Sequence, residues 1–267
     1  MRTDYFIDNG EYVRIFNLQI PLAHHCNNAC LGCSTFSALL DPYFVPKENI
    51  ARDLTGLMRV ARAGQVTLIG GEPLLHPDLL SIIDIVTASR KGNPGDSVTN
   101  IVTNGQLLDR MPDAFWQKID RVIVSKYPGK IKPEQMDIIN SKSAQFGKPV
   151  FAHGPDFGLP LTKNKLSREN AEKAWGNCSS IGHCTTLIGG KLYLCHEFYY
   201  HWLLGLCQNN NGIDVESITR EALMKYALPT EPAEACYRCT GFLNRTLSWR
   251  ECRNREEWLR LSMADKI

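Results

Sequence analysis

Residues 13–33 read VRIFNLQIPLAHHCNNACLGC. Val13–Pro21 predicts a strand, and it runs directly into a loop carrying Cys26, Cys30 and Cys33. Downstream, Pro46–Ala63 places Ile50, Leu54, Leu57, Met58 and Ala61 at helical spacing, with Gly64 to end the helix. Val66–Ile69 is a short apolar run closed by Gly70-Gly71, a predicted strand. Asp78–Arg90 sets Leu79, Ile82, Ile83 and Val86 on one helical face. The alternation continues with strand Asn100–Thr103, helix Pro112–Ile119, strand Arg121–Ser125, helix Pro133–Phe146 and strand Pro149–Ala152. Strand and helix trading places over short connections indicate repeated βα units on a parallel sheet, open or closed into a barrel. Reactive groups on such sheets sit in loops at the carboxyl ends of the strands. After about residue 160 the pattern breaks. Leu187–Cys195 (LIGGKLYLC) reads as a hairpin with a Gly-Gly turn, then a helical or irregular stretch leads to Cys236 and Cys239. The expected division is residues 1–160 and 161–267.

The 267 residues allow one sizeable domain or one with a small appendage. Thirty Lys and Arg against 28 Asp and Glu, scattered without runs, leave +2 and no general attraction to nucleic acid or membrane. No stretch has the length of a membrane span, and the first residues lack the shape of a signal peptide, so a reducing cytoplasm is expected. Ten cysteines in that compartment read as metal or catalytic sites rather than disulfides. They form three sets: Cys26, Cys30 and Cys33; Cys178, Cys184, Cys195 and Cys207; Cys236, Cys239 and Cys252.

The first set has the spacing C-x3-C-x2-C. Three thiolates from one short loop can hold three irons of a cubane cluster and leave the fourth open, whereas structural clusters and zinc sites usually take four ligands. His24 and His25 are the neighbours that could complete a zinc site instead. The triplet resembles the defining motif of radical S-adenosylmethionine (SAM) enzymes, and Gly70-Gly71-Glu72-Pro73 after the next strand resembles that family's second motif. The resemblance implies a partial (β/α)6 barrel, with an open iron chelating SAM and Gly70, Gly71, Glu72 and Pro73 supporting the methionine amino group. Thr103-Asn104-Gly105 is similar to the family's TNG segment. Ser125, with Lys126 and Tyr127, ends the strand where the family often places a polar group near SAM. Phe36 is expected near the adenine or in the core.

The later cysteines resemble the C-x9–15-G-x4-C, gap, C-x2-C pattern of a twitch module, the shortened SPASM domain, built from a β-hairpin and a helix. The resemblance implies a second, auxiliary 4Fe-4S cluster. Cys178, Cys195, Cys236 and Cys239 fit the spacing best, and Cys184 competes; a zinc knuckle is the alternative use of the same residues. Cys207 and Cys252 read as buried thiols, with Cys207 also a candidate hydrogen-atom donor. The implied chemistry is reductive cleavage of SAM to a 5′-deoxyadenosyl radical, fed by a one-electron donor such as flavodoxin or ferredoxin.

The auxiliary cluster favours net oxidation of a small polar substrate, such as a sugar, aminocyclitol or nucleoside, and the chain resembles the aminocyclitol dehydrogenases of aminoglycoside biosynthesis. Epimerisation, dehydration and peptide modification are the alternatives within the family, and a zinc-bearing binding protein is the alternative outside it. A first strand near residue 13 leaves no expected room for a leader-peptide domain. His153, just past the last predicted strand, is the leading candidate base, with Lys126, Tyr127 and Asp156 behind it. His183, His196 and His201 flank the second cysteine set as possible donors to its sulfurs.

Overall fold

A computed structural model describes residues 5–90, 97–154, 157–158, 160–240 and 246–264. Its backbone is a sheet whose centre is parallel. β1 (Phe6–Asp8) leads into β2 (Val13–Pro21); α1 (Lys47–Met58), β3 (Ala61–Ile69), α2 (Leu79–Ser89), β4 (Val98–Thr103), α3 (Asp113–Lys118), β5 (Arg121–Ser125), α4 (Pro133–Phe146) and β6 (Val150–His153) follow in alternation. The short strands β7 (Phe157–Gly158) and β8 (Leu161–Thr162) and helix α5 (Arg168–Gly176) lead to the hairpin β9 (Thr185–Ile188) and β10 (Lys191–Tyr193). Then come α6 (His196–Leu203), β11 (Ile213–Asp214), α7 (Arg220–Ala227), β12 (Thr246–Leu247), α8 (Arg255–Ser262) and β13 (Met263–Ala264).

The sheet runs β11-β10-β9-β2-β3-β4-β5-β6, with β1 pairing antiparallel to Val13–Ile15 at the start of β2. Strands β2 to β6 are mutually parallel, as their βα connections require. The sixth parallel strand is not a sixth βα unit. It is β9, the first arm of the hairpin, which pairs in parallel with Leu18 and Gln19 of β2. The hairpin therefore extends the sheet on the side opposite β6. Its Gly189-Gly190 turn has positive φ at both residues (61° and 77°), as a tight two-residue hairpin turn demands.

One boundary differs from expectation. The helix expected to reach Ala63 stops at Met58, and Ala61 already pairs with Val13. Gly64 lies inside the strand, where a Cβ would come 3.0 Å from the Phe16 carbonyl oxygen. Pairing along the whole of β2 overrides the local helical repeat.

Helices α1 to α4 bury Ile50, Leu54, Ile82, Val86, Trp116 and Ile139 against the sheet residues Val66, Leu68, Ile101 and Val122, forming one core. A polar row crosses the middle of the sheet. Thr67 donates to Asn17 Oδ1 (2.8 Å), and Asn100 Nδ2 donates to Thr67 (3.3 Å) and Gln65 Oε1 (3.1 Å). Because side chains alternate along a strand, residues two places further on emerge on the same face at its carboxyl end: Gln19, Ile69 and Val102. These three line a cavity there.

Candidate active site

The cavity measures about 330 Å³ and collects the strand ends with the first cysteine loop. Cys26, Cys30 and Cys33 all face it, as do Gly70, Gly71, Thr103, Asn104 and Ser125. The loop is held by backbone from the neighbouring strand end. Gly71 N donates to Ala23 O (2.8 Å) and Glu72 N to His25 O (3.0 Å). A Cβ on Gly71 would lie 2.0 Å from the His25 oxygen, and one on Gly70 2.7 Å from the Ala23 oxygen. The two glycines thus allow a backbone approach that no other residue permits.

Donors surround the sulfurs. Asn28 N donates to Cys26 Sγ (3.3 Å), Trp249 Nε1 donates to Cys30 Sγ (3.2 Å), and Thr35 Oγ1 lies 3.2 Å from Cys33 Sγ. Burial pushes the thiols of Cys26 and Cys30 up to about 12, and these donors only partly offset it. The three cysteines share one wall while their neighbours supply N–H groups, a setting suited to thiolates on separate irons of a cluster. Among the described residues, no three His, Cys, Asp or Glu side chains are arranged to hold a single metal ion. His24 and His25 do not complete such a site: His24 Nε2 contacts the Tyr199 hydroxyl (3.0 Å), and His25 packs on Phe44.

Several expected contacts are corrected. Glu72 does not line the cavity. It is fully buried, and its carboxylate accepts from Leu74 N, Thr103 Oγ1 and Asn104 N at 3.0, 2.7 and 2.8 Å. It therefore ties the Gly-Gly turn to the end of β4 instead of presenting an acceptor to a ligand. Burial raises its pKa to about 7 against these hydrogen bonds. Pro73 is likewise buried behind the turn. Of the two places expected for Phe36, it takes the core, wholly buried against Tyr200, His201 and Trp258.

His153 and Lys126 are exposed and outside the cavity lining, because β6 is the edge strand and Lys126 points opposite to Ser125. His153 Nε2 reaches only to 3.5 Å from Ser125 Oγ. Cys207 is buried away from the cavity, its thiol pushed up to about 11 by burial and by Glu234. Asp156 lies outside the described residues.

Of the later cysteines, Cys178, Cys184 and Cys239 lie near enough to Cys195 to act on it electrostatically. Cys195 is buried at the start of α6, and burial first, then Glu197 and the nearby thiols of Cys184, Cys239 and Cys178, push it well above its usual range. Cys236 is buried in the adjoining turn. Cys184 also lines the cavity, beside His196.

His196 belongs to a buried network with Glu197 (3.5 Å) and His201 (2.8 Å from the same carboxylate). Burial opposes both charges, but the two histidines hold Glu197 near 2, and Cys184 and Glu197 hold His196 near 10. His201 reaches back to Ala235 O (3.2 Å), beside Cys236. His183 stacks with Tyr5 and Phe16 away from this network.

Sequence reading passed over Gln19, Asn28 and Trp249. Gln19 had a local signal, a polar side chain near the end of a strand that feeds the cysteine loop. Trp249 had none, since its contact spans the chain.

Residues 20–125 match the family described as the Radical SAM superfamily. The chain is 32% identical over 113 residues to a GTP 3′,8-cyclase of Chlorobaculum tepidum, covering 42% of this chain and 31% of that protein. It is 36% identical over 95 residues to a GTP 3′,8-cyclase of Stenotrophomonas maltophilia, covering 35% and 28%. The match thus spans about a third of the length of these curated relatives. The fold resembles that of anSMEcpe with bound AdoMet, with a TM-score of 0.55 at 15% identity, over 79% of this chain and 80% of that one. With the C-x3-C-x2-C loop and the Gly-Gly turn joined at the carboxyl end of a parallel sheet, residues 20–125 fit the Radical SAM superfamily they match.

Proposed function

We propose that this chain cleaves SAM reductively and uses the resulting 5′-deoxyadenosyl radical to take hydrogen from a small, polar, unphosphorylated substrate, with net oxidation as the outcome. Cys26, Cys30 and Cys33 would hold the 4Fe-4S cluster, which when bound supplies the electron for SAM cleavage and an open iron for its methionine end. This chain's own residues do the positioning. Gly70 and Gly71 lock the cysteine loop to β3, while Asn104, Ser125 and Asn28 offer polar groups along the cavity wall. Asn28 is 4% exposed, and its amide Nδ2 has no partner within the described structure.

The composition of that wall carries the substrate reading. Among the described residues, none of those lining the cavity is Lys, Arg, Asp or Glu. A triphosphate would enter with several negative charges and find among the described lining residues only His196, which is already paired with Glu197. The GTP of the relatives' names is therefore a poor fit, and hydroxyl or amide hydrogen bonding to Gln19, Asn28, Ser125 and His196 a better one. Incubation of reconstituted protein with SAM and a one-electron reductant is expected to yield 5′-deoxyadenosine. A sugar or aminocyclitol should stimulate it and GTP should not; stimulation by GTP alone would overturn the substrate reading.

Cys178, Cys184, Cys195, Cys236 and Cys239 support a second, auxiliary 4Fe-4S cluster in a C-terminal unit over residues 161–267. About eight irons per chain are expected after anaerobic reconstitution, against about four if the second set binds none. A flavodoxin or ferredoxin in the cytoplasm would serve as donor. Among the described residues no helix is long and apolar enough to cross a membrane.

One observation favours a second outcome. The Cys184 thiol faces the cavity, where it could return a hydrogen atom to the substrate carbon, with the thiyl then taking an electron and a proton from the donor system and solvent. Product formed in deuterium oxide separates the two: deuterium fixed at a substrate carbon indicates epimerisation, and its absence with a two-electron-oxidised product indicates dehydrogenation.

A further inference from the structure

The C-terminal residues 249–258 lie against the first cysteine loop as a strap. Cys30 and Glu251 form an antiparallel bridge, Leu31 N donates to Arg250 O (2.9 Å), and Cys252 N donates to Ala29 O (2.8 Å). Two indoles from this strap converge on Cys30. Trp258 Nε1 donates to its carbonyl (2.9 Å) and Trp249 Nε1 to its sulfur (3.2 Å). Trp249 is itself fixed from the other side. Its ring lies 5.4 Å from that of Tyr127, and Lys130 Nζ sits 5.7 Å over it while also pairing with Glu251 at 2.7 Å. Trp249 does not line the cavity, so nothing in the SAM site requires an indole at this position.

We infer that Trp249 is a positioning residue of the cluster, carried on a strap that closes the cysteine loop, and that its N–H bond to Cys30 raises the cluster's reduction potential. The inference rests on the reading that Cys26, Cys30 and Cys33 hold the cluster. A donor aimed at a ligating sulfur stabilises the more negative, reduced state more than the oxidised one, and hydrogen bonds to the sulfurs are among the groups that set such potentials. The consequence is functional: an easier-to-reduce cluster is loaded by a milder one-electron donor but drives SAM cleavage less strongly. The strap thus links the far end of the chain to the energetics of its first motif.

The test is a redox titration of the SAM-free cluster, followed by electron paramagnetic resonance, in wild type, Trp249→Phe and Trp249→His. Phe keeps an aromatic ring beside Tyr127 and Lys130 but loses the N–H with the indole's second ring, so its midpoint is expected at a more negative potential, and the comparison with His isolates the N–H. His restores a ring N–H and is expected to move back toward wild type. Equal midpoints for wild type and Trp249→Phe, with iron content unchanged, would overturn the inference. A second measurement stands even if the Phe variant fails to load iron. In wild type, hydrogen exchange at the Leu31 and Cys252 amides should be slow, and unprotected exchange there would sink the strap. If wild type itself forms no SAM-responsive cluster, the underlying cluster reading fails instead.

Discussion

Glu72 is fully buried with three donors on two oxygens, yet its pKa lies near 7 because loss of solvent outweighs them. The sign of its pH dependence follows. A carboxyl whose folded pKa is raised stabilises the fold below its unfolded pKa, near 4.5, and loses that contribution as pH climbs through about 7. Glu72→Gln removes this titration and keeps the shape. The thermal midpoint of wild type relative to the variant is therefore expected to fall between pH 5 and pH 8, measured by calorimetry on the iron-free protein. A constant difference would show that Glu72 does not titrate in that window. Gly71 makes a steric argument instead. A Cβ there overlaps the His25 carbonyl at 2.0 Å, and the atoms it meets are backbone, so they cannot simply rotate away. Gly71→Ala should cost about 1–3 kcal/mol. It should also displace the cysteine loop, so iron content on reconstitution should drop more than thermal stability does.

The strand β9 belongs to the hairpin by sequence and to the barrel by pairing. Leu187, 1% exposed, packs in the same core as Leu18 and Leu54. Leu187→Ala should cost about 2–5 kcal/mol. Because β9 is bonded to β2, the loss should lower one cooperative transition in calorimetry; an early, separate melting of the C-terminal half would argue that the sheet is divided in stability. This element also marks how far sequence reading reaches. The helices, the Gly-Gly turns and the cysteine loop were legible because their signals are local: helical spacing, turn residues, thiols at short intervals. The place of β9 beside β2 was not, since it joins residues more than 160 positions apart. The early start of β3 was hidden for the same reason, with Ala61–Ala63 reading as helix until β2 supplies partners. At the site, the glycines and cysteines stood out by type. The actual duties of Glu72 and Phe36 depended on burial, and the contact of Trp249 on the return of the chain's far end.

Across the whole molecule, the first cysteine loop is where distant parts of the chain meet: the ends of β2 and β3, the Asn104 turn after β4, and the strap at residues 249–258. Anything that orders this loop should therefore stabilise the molecule broadly, and cluster binding is the natural candidate. Loading has a proton cost that the fold makes large. Cys26 and Cys30 are pushed up to about 12, so at neutral pH both enter the site as thiols and must lose their protons to bind iron. Affinity should then rise with pH throughout the range below those values, by up to about tenfold per pH unit for each proton released. Two measurements check this together. Anaerobic reconstitution at pH 6.5 and pH 8.5 should give clearly higher iron content at the higher pH, and the increase in thermal midpoint on loading should grow in the same direction. Iron content that does not vary with pH would mean that proton release from these thiols does not limit loading.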